Sequence, residues 1–500
     1  MYIDYLGHSE FIVEIAGNNG KKVKILSDAW LSNYSFGDMM ERNPMIKLDI
    51  SKLQDLSAIF ISHAHTDHFD PYTLLELYQN IKPRPVLLIP ETISFLVPLL
   101  EKNLPKQTIK ILKNREVFEI DGVSIEGIIF ENVNLTNEDD VMTLAISNSS
   151  ELVYAEVDTL PPNTEEAQEI LYDVFTKKDY KTALYMATRN ELEGNLKLLD
   201  FNNLKDRKNF AFEYIANRKE EIAYDYEKFE DELVECSNIK DLPYYMQSFI
   251  GQGIIYPTVI NPEFQKISIL GLDEETDIER GIAKKFKKNF PLTYFVPGKR
   301  YEILPKSMKE IGNIPYMLDI KYSNPKKDID IELFRTKRNS ALHNEKRNPM
   351  QQEAIILDLL NNRFLPYRMA NLEDSFKNVI LNTPDHKYII KVIYGSSGDY
   401  FYKYYTFDFS KTKFSEEKSR SEAFSEDYFA NDLEDFFNGR QELYSNFLHD
   451  LHPKRAYRFW TALGANFLNN DLVIRKYDFH FKRAQAGMLI DDYVLKFYKK

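Results

Sequence analysis

The sequence predicts an α+β fold in which two stacked sheets carry helices on their outer faces, followed by a smaller α+β region. Three observations support this. Short strand-like apolar stretches recur from residue 2 to residue 157 and alternate with a few helix-like segments. The apolar run Ala58-Ile59-Phe60-Ile61 leads straight into Ser62-His63-Ala64-His65-Thr66-Asp67-His68, so a buried strand ends in a loop dense in imidazole and carboxylate. The last third has its own series of aromatic-rich strands. At 500 residues the chain exceeds one ordinary domain, and we expect a first domain over 1–290, a linker or helical region over 291–370 and a C-terminal α+β domain over 371–500.

Residues 2–15 read as a strand, a Gly7-His8-Ser9 turn and a second strand, because Phe11, Val13 and Ile15 alternate with Ile12 and Glu14. Asn18-Asn19-Gly20 is a hairpin signal, and Lys22 to Leu26 returns toward Ser27-Asp28-Ala29-Trp30-Leu31. Residues 33–52 carry little regular signal and are expected to form a flap. A strand over 57–62 precedes the histidines and a helix over 71–80 follows them. Val86 to Ile89 reads as a strand, Thr92 to Asn103 as a helix and Thr108 to Leu112 as a strand. Further strands are expected from Val117 to Ile120, Val123 to Phe130, Met142 to Ser147 and Leu152 to Val157.

Beyond these, 162–200 is mixed and partly helical. Residues 205–236 are helix-like, with Phe212, Ile215, Ile222, Phe229 and Leu233 at roughly helical spacing. Residues 251–257 read as a late strand, and a charged stretch over 321–348 reads as a linker. Val379 to Leu381, Tyr388 to Tyr394 and Phe401 to Phe409 are expected as consecutive antiparallel strands, with Gly395-Ser396-Ser397-Gly398 turning between the last two. Residues 417–449 are charged and expected to be helical, and 454–470 resemble an apolar helix around Trp460.

The net charge of −13 and a pI near 5.4 argue against broad binding to nucleic acid or an anionic membrane, both of which need a basic face. One cysteine, Cys236, excludes intrachain disulfides and a thiolate metal cage. The N-terminus lacks the basic and apolar regions of a signal peptide, and no run of about 18 apolar residues exists. A soluble cytoplasmic protein is expected.

Three of nine histidines fall between residues 63 and 68. Metal binding needs neutral imidazoles and carboxylates converging on one point. Alternate residues on an extended strand end point the same way, so His63 and His65 can share one ion. Asp67 and His68 follow where the chain turns and can address a second position about 3.5–4 Å away.

This His-x-His-x-Asp-His pattern resembles the signature of the metallo-β-lactamase superfamily, which implies an αββα sandwich. On that resemblance, Asp28 matches an early aspartate, here expected to orient a ligand histidine, and Asp158 matches the aspartate that bridges the metals. His8 is expected to line the site. Gly7-His8-Ser9, Ser27-Asp28-Ala29-Trp30-Leu31, Ile61-Ser62-His63, Val157-Asp158-Thr159 and Phe295-Val296-Pro297-Gly298 are similar to the CMP-N-acetylneuraminate hydroxylase branch. That branch receives electrons from a Rieske domain, whose cluster needs two cysteines and two histidines. With one cysteine, this chain is expected to lack it. The family also places a histidine on each side of the bridging aspartate in sequence. Here Asn134 and Asn261 stand in those regions, with Glu131, Asp139 and Asp140 as nearby carboxylates.

The expected set is therefore His63, His65, Asp67, His68 and Asp158 around one or two divalent ions, zinc or iron, with Asp67 also positioning water. The leading expectation is a hydrolase acting through metal-activated water on an ester, amide or phosphodiester of a small-molecule substrate. The alternatives are an iron-dependent hydroxylase-like oxidoreductase with a separate electron-donor protein, and a catalytically degenerate binding or assembly protein. The final 200 residues are expected to cover the site, bind a partner or form a homo-oligomer interface.

Overall fold

The structure is a computed structural model that describes residues 1–35, 40–42, 44–130, 141–159, 165–189, 246–251, 254–255, 292–305, 307–321, 346–364, 387–396, 399–408, 413–417, 425–438 and 470–487. Strands β1 (Tyr2–Gly7), β2 (Glu10–Ala16) and β3 (Lys22–Ser27) form an antiparallel meander. Short strands β4 (Tyr34–Ser35), β5 (Met40–Arg42) and β6 (Met45–Leu48) occupy the stretch expected as a flap. Strand β7 (Ala58–Phe60) then enters parallel to β3, and helices α1 (Pro71–Asn80) and α2 (Val97–Asn103) connect it to β8 (Val86–Pro90) and β9 (Ile109–Leu112), also parallel.

The second sheet starts with β10 (Val117–Ile120), β11 (Val123–Ile128), β12 (Thr143–Ser147) and β13 (Glu151–Ala155), all antiparallel. Helix α3 (Glu165–Thr176) leads to β14 (Thr182–Arg189), which runs parallel to β13, as β15 (Met246–Gly251) does to β14. Past the short β16 (Ile254–Ile255), β17 (Leu292–Tyr294) completes this sheet. Strands β18 (Lys299–Leu304) and β19 (Ser307–Asn313) return to the first sheet, giving the order β19-β18-β1-β2-β3-β7-β8-β9. The two sheets therefore continue past residue 290, where the sequence suggested a boundary. Register explains this: Tyr2 pairs with Glu302 and Asp4 with Arg300, and that pairing joins strands almost 300 positions apart.

Ile3, Phe11, Val13, Ile25 and Phe60 from the first sheet share one buried cluster with Val123, Ile125, Ile146, Val153 and Leu184 from the second. Each such side chain removed from water contributes roughly 1.5–3 kcal/mol. On the outer face of the first sheet, Ile12, Leu26, Ile59 and Leu87 meet residues of α1 and α2. On the second sheet, Phe175 of α3 packs against Tyr154 and Tyr185. The layers are α, β, β and α.

The later region contributes β20 (Met317–Lys321), paired with β6, helix α4 (Pro349–Asp358) and a four-stranded sheet. That sheet contains β21 (Lys387–Ser396), β22 (Asp399–Asp408), β23 (Lys413–Glu417) and β24 (Ser425–Phe429), followed by helix α5 (Ala430–Phe437). Strand β24 lies inside the stretch expected to be helical and runs parallel to β21. Helix α6 (Asn470–Gln485) returns to the first domain, where Val473, Tyr477 and Phe481 join the cluster beside α1. The helix expected over 205–236, the apolar segment over 454–469, the strand over 379–381 and nearly all of the charged stretch over 321–348 lie outside the described residues. Among the described residues, no helix is long and apolar enough to cross a membrane.

Candidate metal centre

Four strand ends converge. Strand β1 turns through His8 and Ser9 into β2, β3 ends beside Asp28, β7 leads into residues 61–70, and β13 leads into Glu156-Val157-Asp158. Three residues at these ends take left-handed backbone: His8 at φ 54°, Asp28 at 46° and Val157 at 64°. Such a conformation costs of order 1–3 kcal/mol in a non-glycine residue, and it is a marked outlier for a β-branched one. Gly7 has φ 106°, and a Cβ there would stand 3.3 Å from Arg42 Nη2 and from Pro297 Cβ.

The convergence brings His8, Asp28, His63, His65, Asp67, His68 and Asp158 together, all buried. Asp158 Oδ2 lies 3.5 Å from His63 Nε2, 3.6 Å from His68 Nε2 and 3.9 Å from His65 Nδ1. His65 Nδ1 is 2.6 Å from His63 Nε2. A second group shares His68: Asp67 Oδ2 is 3.5 Å from His68 Nε2 and 3.1 Å from His8 Nε2.

These residues fit a divalent ion. Four-coordinate bonds of about 2.0–2.2 Å place neighbouring donors roughly 3.3–3.5 Å apart; the separations His8–Asp67, Asp67–His68, His68–Asp158 and His63–Asp158 run from 3.1 to 3.6 Å, while His63 Nε2 and His65 Nδ1 are hydrogen-bonded at 2.6 Å. His68 Nε2, Asp67 Oδ1 and both ring nitrogens of His8 are buried with no hydrogen-bond partner. Each unmet buried group costs about 1–3 kcal/mol, and a cation at the focus satisfies several at once. Imidazoles and carboxylates without thiolate suit zinc or iron.

Asp28 orients the cluster. Its Oδ2 lies 2.7 Å from His68 Nδ1 and accepts from Ser62 Oγ at 3.0 Å, while Oδ1 accepts from Ser62 N at 2.8 Å. Ser62 Oγ also lies 2.8 Å from His63 Nδ1. Both histidines are thus held by one ring nitrogen, with the other left toward Asp158.

Burial, followed by the neighbouring His68 and His65, holds His63 well below the ordinary imidazole range, so it is neutral. Burial also works to lower His68, but the carboxylates of Asp67 and Asp28 outweigh it and raise this group to about 10. Burial opposes ionisation of Asp67, yet His68 and His8 hold its carboxyl well below the usual range. In the metal-free protein a proton on His68 thus supplies positive charge beside these carboxylates.

Several supporting residues escaped sequence reasoning. Arg42 is fully buried; it donates to Glu10 and to the carbonyl oxygens of Trp30 at 2.5 Å, Leu6 at 2.6 Å and Gly7 at 3.2 Å. Glu10 also accepts from Trp30 N. The one signal in the sequence is a glutamate at the start of the mainly apolar β2. Tyr477 of α6 donates to Ala64 O at 2.7 Å and stacks on Phe69, with ring centroids 4.3 Å apart; no sequence signal links positions 413 residues apart. Asp70, next to the cluster in sequence, instead caps α1, accepting from Tyr72 N and Thr73 N. Asn134, Asn261, Glu131, Asp139 and Asp140 lie outside the described residues.

No protein-family model matches the chain. Over 106 residues it is 29% identical to a putative Rieske 2Fe-2S iron-sulfur protein of Mycolicibacterium smegmatis, a match covering 21% of this chain and 18% of that protein. The chain thus spans about a fifth of that relative's length. Among solved structures, it is similar to the diiron β-hydroxylase CmlA of Streptomyces venezuelae at 15% identity, covering 39% of this chain and 35% of that one, with a TM-score of 0.27. The metallo-β-lactamase fold protein YhfI of Bacillus subtilis is 10% identical, with 60% of this chain and 99% of that one covered and a TM-score of 0.31. Likenesses at this level assign no reaction.

Proposed function

We propose that the chain is a metal-dependent hydrolase that acts on an ester, amide or phosphodiester of a small-molecule substrate. The buried convergence of His63, His65, His68, Asp67 and Asp158 carries this reading. When bound, a divalent ion would supply Lewis acidity there, bringing the pKa of bound water toward about 7. The residues divide the remaining work. His63 and His65 would offer ring nitrogens to the ion, and Asp158 Oδ2 lies 3.5 Å from His63 Nε2 and 3.6 Å from His68 Nε2. Asp67 commits Oδ2 toward His68 and His8 and leaves Oδ1 to accept a hydrogen bond from the attacking water. The test is metal analysis of the purified protein, with a panel of chromogenic esters, amides and phosphodiesters assayed with zinc, manganese and iron. His65→Ala is expected to lose the ion that His65 shares with His63 and Asp158, and activity with it; an undiminished metal content in that variant overturns the assignment.

A second reading is an iron-dependent hydroxylase-like oxidoreductase served by a separate electron donor. The match to a protein named as a putative Rieske protein favours it, since this chain's single cysteine cannot furnish the two that a Rieske cluster requires. Iron in protein purified without added metal, together with oxygen consumption dependent on a reductant, supports this reading over the first.

A further inference from the structure

We propose that His8 is itself a metal ligand, closing a second ion position with Asp67 and His68 beside the one formed by His63, His65 and Asp158. The inference rests on the metal-dependent reading above. It assigns an imidazole from the N-terminal hairpin to a position for which the sequence resemblance supplies no histidine.

His68 forces the division. Its Nδ1 is committed to Asp28 at 2.7 Å, so only Nε2 remains, and one nitrogen serves one ion. If His68 joins His63 and Asp158, a buried imidazole and a buried carboxylate are left over: His8 and Asp67, 3.1 Å apart and without hydrogen-bond geometry. If His68 joins His8 and Asp67, His65 stands beside His63 and Asp158 to serve the first position, and no donor is stranded. Only the second division uses every group.

The hairpin also fixes His8 in place. The residue is fully buried in left-handed backbone, after a glycine that no other residue could replace without moving Arg42 or Pro297. Its carbonyl accepts from Tyr5 OH at 2.8 Å. Its ring stands edge-on to Trp30, with centroids 5.1 Å apart and planes at 77°, and 4.9 Å from the ring of His68. The hairpin thus holds the backbone and the ring of His8, while both ring nitrogens remain without a hydrogen bond.

The test loads wild type, His8→Ala and His8→Cys with cobalt(II), removes loose metal on a chelating resin, and measures metal per chain by mass spectrometry together with the visible and near-ultraviolet spectrum. We expect two ions in wild type, one in His8→Ala, and two in His8→Cys with a thiolate-to-cobalt charge-transfer band absent from wild type. Far-ultraviolet circular dichroism checks that each variant folds; if His8→Ala does not, the His8→Cys band decides. Two ions in His8→Ala, a wild type holding one ion, or a cobalt-loaded His8→Cys without the band each overturns the proposal while leaving the metal-dependent reading intact. A wild type that binds no metal overturns both.

Discussion

Asp28 Oδ2 lies 2.7 Å from His68 Nδ1, and both residues are fully buried. The same carboxylate accepts from Ser62 N and Ser62 Oγ, so one side chain fixes the loop backbone and the ring of His68. Asp28→Asn keeps the shape but loses the charge that holds the proton on Nδ1. Loss of such a carboxylate–histidine contact typically weakens metal binding about 10–100-fold. We expect a weakening of that size in chelator competition; unchanged affinity would show that His68 keeps its orientation unaided.

Metal binding only to the folded chain raises its stability by mass action, about 2.7 kcal/mol when the free ion stands at 100 times its dissociation constant. Zinc should therefore raise the melting temperature of the wild type. His63→Ala and Asp158→Ala remove donors that converge within 3.5 Å of each other, and their melting temperatures should respond to zinc less than that of the wild type. A full zinc response in either variant would remove that residue from the centre.

Tyr477 reaches the histidine-rich loop through its hydroxyl, 2.7 Å from Ala64 O. Tyr477→Phe deletes that bond and keeps the ring that stacks on Phe69. A lost hydrogen bond of this kind costs about 0.5–1.5 kcal/mol. We expect a small fall in melting temperature and faster metal release in a chelator chase. Unaltered release would mean that the loop is rigid without α6.

Arg42 and Glu10 form a wholly buried ion pair behind the His8 turn. Arg42→Met leaves a buried carboxylate without its partner, which costs about 3–5 kcal/mol. Adding Glu10→Gln should recover part of the loss, a coupling that urea unfolding of the single and double variants will measure. A cost for Arg42→Met below about 1 kcal/mol would place it in the range of an exposed pair.

Glu14 links β2 to β18 through Arg300 Nη2 at 2.7 Å and also pairs with Lys22 Nζ at 2.6 Å. Burial opposes its ionisation, but the hydrogen bonds from Lys22 and Arg300 outweigh it and hold the carboxyl below its ordinary value of 4.5. A depressed folded-state pKa contributes stability that is complete above the unfolded value and lost as pH falls through the folded one. The stability gap between wild type and Glu14→Gln should therefore be full above pH 4.5 and close toward stronger acid. A gap that does not change with pH would assign Glu14 a packing role only.

The sequence by itself determined the strands and the local cluster. Alternation of Phe11, Val13 and Ile15 marked β2, short apolar stretches marked β10 to β13, and the run from Ala58 to Ile61 marked the strand that delivers His63, because these signals are written within a few consecutive residues. Aspartates such as Asp28 and Asp158 drew notice only through resemblance to a family motif. Tertiary structure alone decided the rest. It set the pairing of β18 with β1, the seating of Tyr477 on Ala64, and the burial of Arg42 against Glu10. It also brought His8 to within 3.1 Å of Asp67, although 59 positions separate them. Contacts between remote residues depend on how two sheets stack and on which strand ends meet, and hydrophobic periodicity within a strand carries no record of its distant neighbours.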